Sequence, residues 1–238
     1  MAFKGAKNAR LYIKGYDMSG RSNRMTPTLA REFEDVTCFS DAGHKWFPKF
    51  TKDGFEFSGF YDAASGNITE IMNTLRTATS VGICCILLGP NQSDDAVCGE
   101  GVWQEGYSIE MPILGMLTLN GSFQFEGAVD VGIVLQVKAQ KTADGNGTGV
   151  DQTAPSSAGA TAFLQVFECG AGDALIVKVQ DDDNAGFLSP NDLITFTIAN
   201  GITAERKTAS GTIQRYVRVV WAGTLPYQVT FAVCFKRN

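Results

Sequence analysis

Apolar and polar residues alternate with a period of two along much of this chain, which is the pattern of half-buried β-strands. In residues 117–126 one face carries only apolar side chains: Leu117, Leu119, Phe123 and Phe125. The pair Asn120-Gly121 favours a two-residue hairpin turn, but a turn there would set Leu119 opposite Ser122 and mix the two faces. We therefore predict one continuous strand, with Gly121 as a bulge or bend.

The same alternation, together with short apolar runs, predicts many further strands. Before residue 140 they are expected at 11–16, 33–39, 55–61, 81–88, 108–113 and 131–139. After residue 160 they are expected at 162–168, 174–180, 193–199, 205–209, 216–221 and 227–235. The second group has turn residues between its strands and predicts a β-sandwich.

One segment has helical periodicity instead. Ile68, Ile71, Met72 and Leu75 follow the spacing of one helix face, with Asn67 as the predicted N-cap and Glu70 in the first turn. We expect this helix to end near residues 76–79. Its apolar stripe would pack across an open face of a sheet, which is a structural role and not a chemical one.

Between residues 141 and 160 the sequence becomes rich in Gly, Ser, Thr, Asn and Asp and loses its periodicity. Such a composition is typical of an exposed linker or long loop. We therefore expect three parts: a β domain at 1–140 with one packed α-helix, a linker at 141–160, and an accessory β-sandwich at 161–238. The fold class is mainly β.

Composition excludes several classes of function. With 238 residues, 44% hydrophobic and 19% charged, the chain matches an ordinary globular protein. It has no apolar run long enough to cross a bilayer and no apolar N-terminal leader, so we expect no membrane contact and synthesis in a cytosol. The net charge of −5 argues against the wrapping of nucleic acid.

Basic residues nevertheless concentrate near the N-terminus. Up to residue 31 the chain has seven of them against Asp17 alone: Lys4, Lys7, Arg10, Lys14, Arg21, Arg24 and Arg31. A solvated arm would explain this cluster. The alternative is a strip that contacts an acidic surface, including that of another copy of the chain.

Six cysteines, at positions 38, 84, 85, 98, 169 and 234, show no Cys-x-x-Cys spacing and no cluster with histidine. That spacing argues against a zinc site. Cys84 and Cys85 stand in an apolar run, where small buried side chains are expected. We expect reduced core thiols, no metal site and no cofactor.

The remaining candidate residues do not form a catalytic arrangement. His44 is the only histidine and lies in a turn-like sequence without a marked nucleophile. The acidic run at 181–186 departs from a calcium-binding loop because Ala185 and Asp192 occupy ligand positions poorly and no flanking helices are predicted. We therefore expect no enzyme activity.

Several motifs between residues 10 and 62 resemble the major tail tube proteins of tailed bacteriophages. They are Gly15-Tyr-Asp-Met-Ser-Gly20, the segment Asp35-Val-Thr-Cys-Phe-Ser-Asp41, the aromatic stretch Trp46-Phe-Pro48, and Asp53-Gly54 leading to Gly59-Phe-Tyr-Asp62. The resemblance continues more loosely to about residue 140. The segment 160–238 looks like β-sandwich modules of phage structural proteins, although Gln214-Arg-Tyr-Val-Arg-Val-Val-Trp221 also resembles strands of carbohydrate-binding jelly rolls.

The resemblance implies a tail-tube-type β-sandwich or barrel at residues 1–140 and a structural virion protein made in the bacterial host cytoplasm. Such subunits assemble into rings, usually hexamers, that stack around a conduit for DNA. Ring closure would bury strand edges against neighbouring copies. The expected partners are the chain itself and other virion proteins, while DNA passes without specific binding.

Under this hypothesis the contacts between copies involve the segments 43–52 and 91–106 and four basic residues: Arg10, Arg21, Arg24 and Arg31. Two alternatives stay open. The first is a capsid decoration or auxiliary virion protein. The second is a carbohydrate-binding sandwich that uses Trp221 and Tyr227, although aromatic residues in a small sandwich belong more often to its core.

Overall fold

The computed structural model describes residues 8–62, 68–79, 82–127, 129–170, 172–197 and 201–238. Across these residues the protein is mainly β, with α1 (Ile68–Arg76) as the α-helix. The fold class predicted from the sequence is thereby confirmed. No helix in the described ranges is long and apolar enough to span a membrane.

The strands, in chain order, are β1 (Arg10–Ile13), β2 (Tyr16–Asp17), β3 (Ser22–Thr28), β4 (Arg31–Asp35), β5 (Trp46–Thr51), β6 (Gly54–Phe60), β7 (Gly82–Leu87), β8 (Asp95–Glu110), β9 (Thr118–Phe125), β10 (Val129–Lys141), β11 (Gly145–Asn146), β12 (Val150–Asp151), β13 (Ala160–Cys169), β14 (Leu175–Asp182), β15 (Asn191–Thr195), β16 (Thr203–Ala209), β17 (Tyr216–Gly223) and β18 (Val229–Arg237).

Two compact units divide the chain, and they interleave along the sequence. Unit 1 contains the described residues of 1–20, 82–100 and 130–238, and unit 2 contains those of 21–81 and 101–129. The sequence analysis expected successive domains at 1–140 and 161–238 instead. The difference arises because β10 pairs with β18, which joins residues from both expected domains.

The expected linker also contains short strands. Residues of β11 and β12 pair with β17, for example Gly145 with Trp221 and Val150 with Val217. Backbone pairing of this kind needs no apolar side chains, which is why composition indicated only a loop. Strand β8 is likewise far longer than the segment 108–113 predicted from alternation.

Unit 1 contains a β-sandwich. The first layer has the strand order β16-β13-β18-β10-β8-β7-β1-β2, in which β8 takes part with its first residues. The second layer has the order β11-β17-β14-β15, and β12 also pairs with β17. Apolar residues of the two layers form one core, among them Leu164, Phe231, Val179 and Val219. Both layers have free ends, so neither closes into a barrel, and the barrel alternative is not observed in unit 1.

Strands β13 and β18 are buried on both faces. Along β13, Leu164 faces the sandwich core, whereas its neighbour Phe163 packs into a second cluster with Tyr12 and Cys234. Double-sided burial explains why these strands read as nearly continuous apolar runs and not as alternating ones. Cys85 of β7, Cys98 of β8 and Cys234 of β18 belong to this second cluster.

In unit 2 the strands pair in the order β3-β6-β9 followed by the second part of β8. Phe55 and Phe123 lie opposite each other in the register, and their rings stack with centroids 4.6 Å apart. The helix α1 buries Ile68, Ile71, Met72 and Leu75, as the sequence predicted. The predicted cap, Asn67, lies outside the described residues.

Strand β9 is continuous through Gly121, which confirms the interpretation that rejected a hairpin. A Cβ on Gly121 would lie 2.4 Å from the terminal methyl carbon of Met72. The missing side chain thus leaves room for the helix over the sheet. The register shift falls on the partner strand β8, between Gln104 and Gly106, and not at Gly121.

The segment 11–16 turns instead of running as a single strand. Ile13 pairs with Tyr16, and the two residues between them, Lys14 and Gly15, have φ values of 50° and 81°. Two left-handed residues in a two-residue hairpin are typical of a type I′ turn. A Cβ on Gly15 would lie 2.4 Å from the carbonyl oxygen of Val166.

Gly15→Ala is therefore expected to lower the free energy of unfolding by about 2 kcal/mol or more, because the left-handed conformation and the backbone contact both oppose a side chain. Gly20, in the same motif, has open space around its Cβ position. The control Gly20→Ala should change stability by less than about 1 kcal/mol. Urea unfolding of both variants measures the difference, and equal losses would contradict it.

Candidate self-association surface

The β4–β5 hairpin of unit 2 exposes an unusual number of aromatic side chains. Every residue of both strands is exposed. Four of the aromatic residues lie on the strands, Phe33, Trp46, Phe47 and Phe50, and Phe39 lies at the tip between the strands. Phe39 and Phe50 are the most open, at 114% and 91% exposed. A two-stranded hairpin with no buried face is marginal in water unless something packs against it.

Polar side chains hold the tip of this hairpin in shape. The Asp35 carboxylate accepts the backbone N–H of Thr37 at 2.9 Å and contacts Nδ1 of His44 at 3.0 Å. The Asp41 carboxylate accepts the N–H of Cys38 and pairs with Lys45. Hydrogen bonds from Thr37 lower the pKa of Asp35, and the bond from Lys45 lowers that of Asp41.

Of these residues, Asp35, Thr37, Cys38 and Asp41 belong to the motif Asp35–Asp41 that resembles tail tube proteins. Its acidic and hydroxyl groups are turned inward to the loop, while Phe39 projects into solvent. The motif therefore holds the loop in a defined shape and leaves the Phe39 side chain exposed at its surface. The sequence predicted a strand at 33–39, but β4 ends at Asp35 because the side chains beyond it bond to the loop backbone.

The base of the hairpin is fixed by Asp53. This residue is 8% exposed, and its Oδ1 accepts the N–H of Ala30 at 3.0 Å. The backbone carbonyl of Asp53 accepts the N–H of Phe125, and Lys52 donates its N–H to the carbonyl of Ala30. Asp53 thus connects the hairpin to strand β9 of the same unit.

A second apolar segment of unit 2 follows strand β8. Between residues 111 and 117 every large apolar side chain is exposed: Met111, Ile113, Leu114, Met116 and Leu117. Ile113 is 101% and Leu114 is 93% exposed. Groups of exposed apolar side chains mark interaction sites, whereas single ones do not, so this segment and the hairpin are the candidate surfaces of unit 2.

The sheet of unit 2 also carries a polar groove of about 750 Å³. Its lining includes Glu56, Ser58, Asn120 and Ser122. Successive side chains of a strand point to opposite faces of the sheet, so these four lie on the face opposite to that of the buried Phe57 and Leu119. Glu110 accepts a hydrogen bond from the amide of Asn120 at 2.9 Å. The groove presents charges of both signs, because Arg24 lines it as well.

The four basic residues proposed from the sequence belong to four different elements. Arg24 is exposed on β3, and its Nε donates to the hydroxyl of Thr26 at 3.3 Å. Arg31 is exposed on β4 and donates to the carbonyl of Lys49 at 3.1 Å. Arg10 begins β1 in unit 1, and Arg21 ends a short 3₁₀ turn in unit 2.

The segments 43–52 and 91–106 are strands over much of their length. The first contains β5, which belongs to the exposed hairpin, and the second contains the beginning of β8. Sequence reasoning missed the exposure of residues 111–117: it placed 111–113 in the strand predicted at 108–113, whereas β8 ends at Glu110, and it put Leu117 on the apolar face of the next strand. Its signal was present in the run Met-Pro-Ile-Leu-Gly-Met, where apolar residues stand beside a proline and a glycine and cannot form a regular core strand.

The aromatic residues considered for sugar binding are buried. Trp221 and Tyr227 are 6% and 3% exposed and belong to the sandwich core. The Trp221 indole donates to the carbonyl of Ala143 at 2.9 Å, and the Tyr227 hydroxyl bonds to Asp144 at 3.1 Å. Neither ring can stack on a sugar, so the two residues proposed for carbohydrate binding are not available for that role.

The acidic run at 181–186 uses its carboxylates internally. Asp182 accepts the N–H groups of Asn184 and Ser189, both at 2.9 Å, and these bonds lower its pKa. Asp181 accepts the N–H of Gln214 at 2.6 Å. The loop is thereby shaped by hydrogen bonds to its own backbone and to the start of β17.

The cysteines are free thiols throughout the described chain, and Cys38 is exposed. The expectation of no metal site rested on their spacing in the sequence. The structure brings three of them together, Cys85, Cys98 and Cys234, in a way that spacing could not reveal. They are the one group of potential metal ligands found among the described residues.

No family model and no curated protein matches the chain. Among solved structures it is similar to a protein of the virion of a native gene transfer agent particle, with 13% identity, a TM-score of 0.42, and coverage of 55% of this chain and 98% of that one. It is also similar to the SPP1 tail tube protein (10% identity, TM-score 0.42, 54% and 78% covered) and to the SPP1 Dit protein (12%, 0.38, 94% and 98%).

These neighbours are virion and tail proteins. TM-scores near 0.4 describe a partial likeness. They carry no argument about assembly, for which the surfaces of the chain itself are decisive.

Asp53→Ala should loosen the hairpin without unfolding unit 2. Loss of a charged hydrogen-bond acceptor from the Ala30 amide costs about 1.5–3 kcal/mol, and the cost falls on local opening of the hairpin. We expect faster hydrogen exchange across residues 30–52. The control Asp53→Asn retains an acceptor oxygen and should exchange more nearly like the unsubstituted protein. Equal exchange in all three would contradict the role of Asp53.

Proposed function

We propose that the protein is a structural virion subunit of the tail-tube type, which associates with copies of itself into stacked rings around a conduit for DNA. The observation that supports this most strongly is the exposed apolar surface of unit 2. It comprises the aromatic side chains of the β4–β5 hairpin and the segment 111–117.

A second copy of the chain is the partner that fits these surfaces best. The hairpin carries both signs of charge beside its aromatic residues, with Lys49 3.1 Å from Glu34 and Lys52 3.8 Å from Glu32. A mixed apolar and charged surface of this kind can complement another example of itself. Exposed pairs contribute little by themselves, so the apolar side chains would supply most of the association energy.

The polar groove of unit 2 and the charge of the protein support the conduit. The groove residues Glu56, Ser58, Asn120 and Ser122 present few cations to a phosphate backbone, and the net charge of the chain is −5. Tight binding of DNA requires many Lys and Arg contacts with phosphates. A mildly acidic lining would let the polymer pass without holding it.

A capsid decoration or auxiliary virion protein is the second candidate, since the same apolar surfaces could bind a different virion protein. The two proposals differ in one measurable respect. A tube subunit forms rings or tubes from purified protein alone, whereas a decoration protein stays small until its capsid is supplied.

Phe50→Glu and Ile113→Glu should each weaken self-association, because full burial of such a side chain contributes about 1.5–3 kcal/mol, which corresponds to at least about tenfold in affinity. Sedimentation velocity over a range of protein concentrations, with negative-stain microscopy, measures the assemblies. The control is Leu188→Glu, an equally drastic change at a residue that is 81% exposed in unit 1.

The proposal predicts rings or tubes for the unsubstituted protein and for Leu188→Glu, with smaller species for the other two variants. Monomers at every concentration would contradict self-assembly and favour the decoration role. Equal effects of all three substitutions would show that the apolar segments of unit 2 have no special part in association.

Charge reversal of Arg21 and Arg24 tests the basic residues separately. If the basic strip contacts an acidic surface of a neighbouring copy, Arg21→Glu with Arg24→Glu should reduce light scattering by assemblies while leaving thermal unfolding unchanged. High salt should reduce assembly of the unsubstituted protein in the same direction. The control is Arg76→Glu, at the exposed end of α1; unchanged scattering in the double variant would remove these residues from the interface.

A further inference from the structure

Three cysteine thiols meet inside unit 1. Cys85 on β7, Cys98 on β8 and Cys234 on β18 place their Sγ atoms within 4.8 Å of one another. All three side chains are at most 2% exposed. They lie in an apolar cluster with Tyr12, Ala96, Val134 and Phe163, which keeps the thiols out of contact with water.

Backbone pairing fixes this arrangement. Leu88 donates its N–H to the carbonyl of Asp95 at 2.8 Å, which pairs these two residues where β7 ends and β8 begins. In antiparallel strands, the residue three positions before Leu88 lies opposite the residue three positions after Asp95, so Cys85 lies opposite Cys98. Cys234 is in register with Val134 of β10 on one side and Phe163 of β13 on the other. The three ligands are thus positioned by the sheet itself.

We propose that Cys85, Cys98 and Cys234 form a three-coordinate site for one soft, thiophilic metal ion, and that this ion is Cu(I). Metal–sulfur bonds of about 2.3 Å around one ion place three sulfur atoms about 4 Å apart. The observed separations are at most 4.8 Å. Small side-chain rotations suffice to close the site, without movement of the strands.

The number of ligands distinguishes Cu(I) from zinc. Structural zinc sites are almost always four-coordinate. The Gln165 side chain is a polar group beside the thiols: its Nε2 lies 3.7 Å from the Cys85 sulfur and also donates to the carbonyl of Ile83 at 3.0 Å. Its Oε1 accepts the N–H of Gly15 at 2.7 Å. With that oxygen engaged, three sulfur atoms remain, and soft thiolates select Cu(I).

Metal ligation uses the thiolate form of cysteine, so each thiol that binds Cu(I) through a sulfur lone pair releases its proton to solvent. The bound site is then anionic. Buried charge is costly unless it is paired or coordinates a metal, and the Gln165 Nε2, 3.7 Å from the Cys85 sulfur, points a donor at it.

The experiment uses the full chain with Cys38→Ser, because Cys38 is an exposed thiol that would bind copper on its own. Cu(I) is added anaerobically as its acetonitrile complex, both to folded protein and during refolding, and is titrated against a colorimetric Cu(I) chelator. We expect one copper per chain. X-ray absorption at the copper edge should show a first shell of three sulfur atoms.

Removal of a ligand should weaken binding by more than about 100-fold, which exceeds the usual cost of losing an outer-shell partner. The variants are Cys98→Ala and Cys234→Ala. The matched control is Cys84→Ala, which removes a buried thiol next to Cys85 that is not part of the group, and its copper affinity should not change.

Three results would overturn the proposal: no tightly bound copper under either loading condition, equal binding by Cys98→Ala, or a first shell with fewer than three sulfur atoms. If the alanine variants do not fold, the absorption spectrum and stoichiometry of the Cys38→Ser protein alone decide the question. Bound copper should also raise the thermal unfolding midpoint, since the three thiols are held together only in the folded protein.

Discussion

The buried amide of Gln165 is the interaction on which the arrangement of unit 1 depends. This side chain is 1% exposed on β13, yet both of its polar atoms are engaged, one by the Gly15 N–H and the other by the carbonyl of Ile83. It therefore ties the turn after β1, and strand β7 beside it, to the central strand of the sandwich. An unsatisfied amide at this depth would cost several times what a single hydrogen bond contributes, so the turn and the strand are fixed together.

This attachment gives β13 and β18 two packed faces and creates the second core in which the cysteines meet. Residues of one parity along β18, such as Val233, face the sandwich, and residues of the other parity, such as Cys234, face β1 and β7. The thiol cluster thus follows from the fold that Gln165 stabilises. The buried Gln165 amide on β13 and the three cysteine thiols beside it are therefore parts of one arrangement of strands.

Local sequence patterns were sufficient for the helix and for most strands. The stripe of α1 and the continuity of β9 depend on neighbouring residues only, and both were predicted correctly. The pairing of β10 with β18 joins segments nearly a hundred residues apart and leaves no local trace, so the compact units could not be derived from the sequence. The cysteine cluster has the same origin in part, because Cys234 on β18 reaches Cys85 and Cys98 on the consecutive strands β7 and β8 only once β18 has paired with β10 and β13.

The candidate interface was only partly predictable for a different reason. Sequence patterns indicate that aromatic residues are abundant in a segment, but not whether they are buried, and the hairpin with Trp46 and Phe50 could have been read as core. What decides the matter is the polar network of the tip and the Asp53 anchor, which use hydrogen bonds where a core would use packing. Hydrogen bonds hold the hairpin in one conformation while its aromatic side chains stay exposed, which is what the proposed self-association requires.

The edges of unit 2 also bear on how that partner is held. Strand β3 carries Pro27, and strand β5 carries Pro48 beside Lys49. Proline removes a backbone donor and lysine resists close pairing, and natural sheets use both to block the addition of further strands. Indefinite edge-to-edge growth is therefore disfavoured at the same place where aromatic side chains are exposed. Association through side chains, with its demand for shape complementarity, can close into a defined ring where unrestricted strand pairing would not.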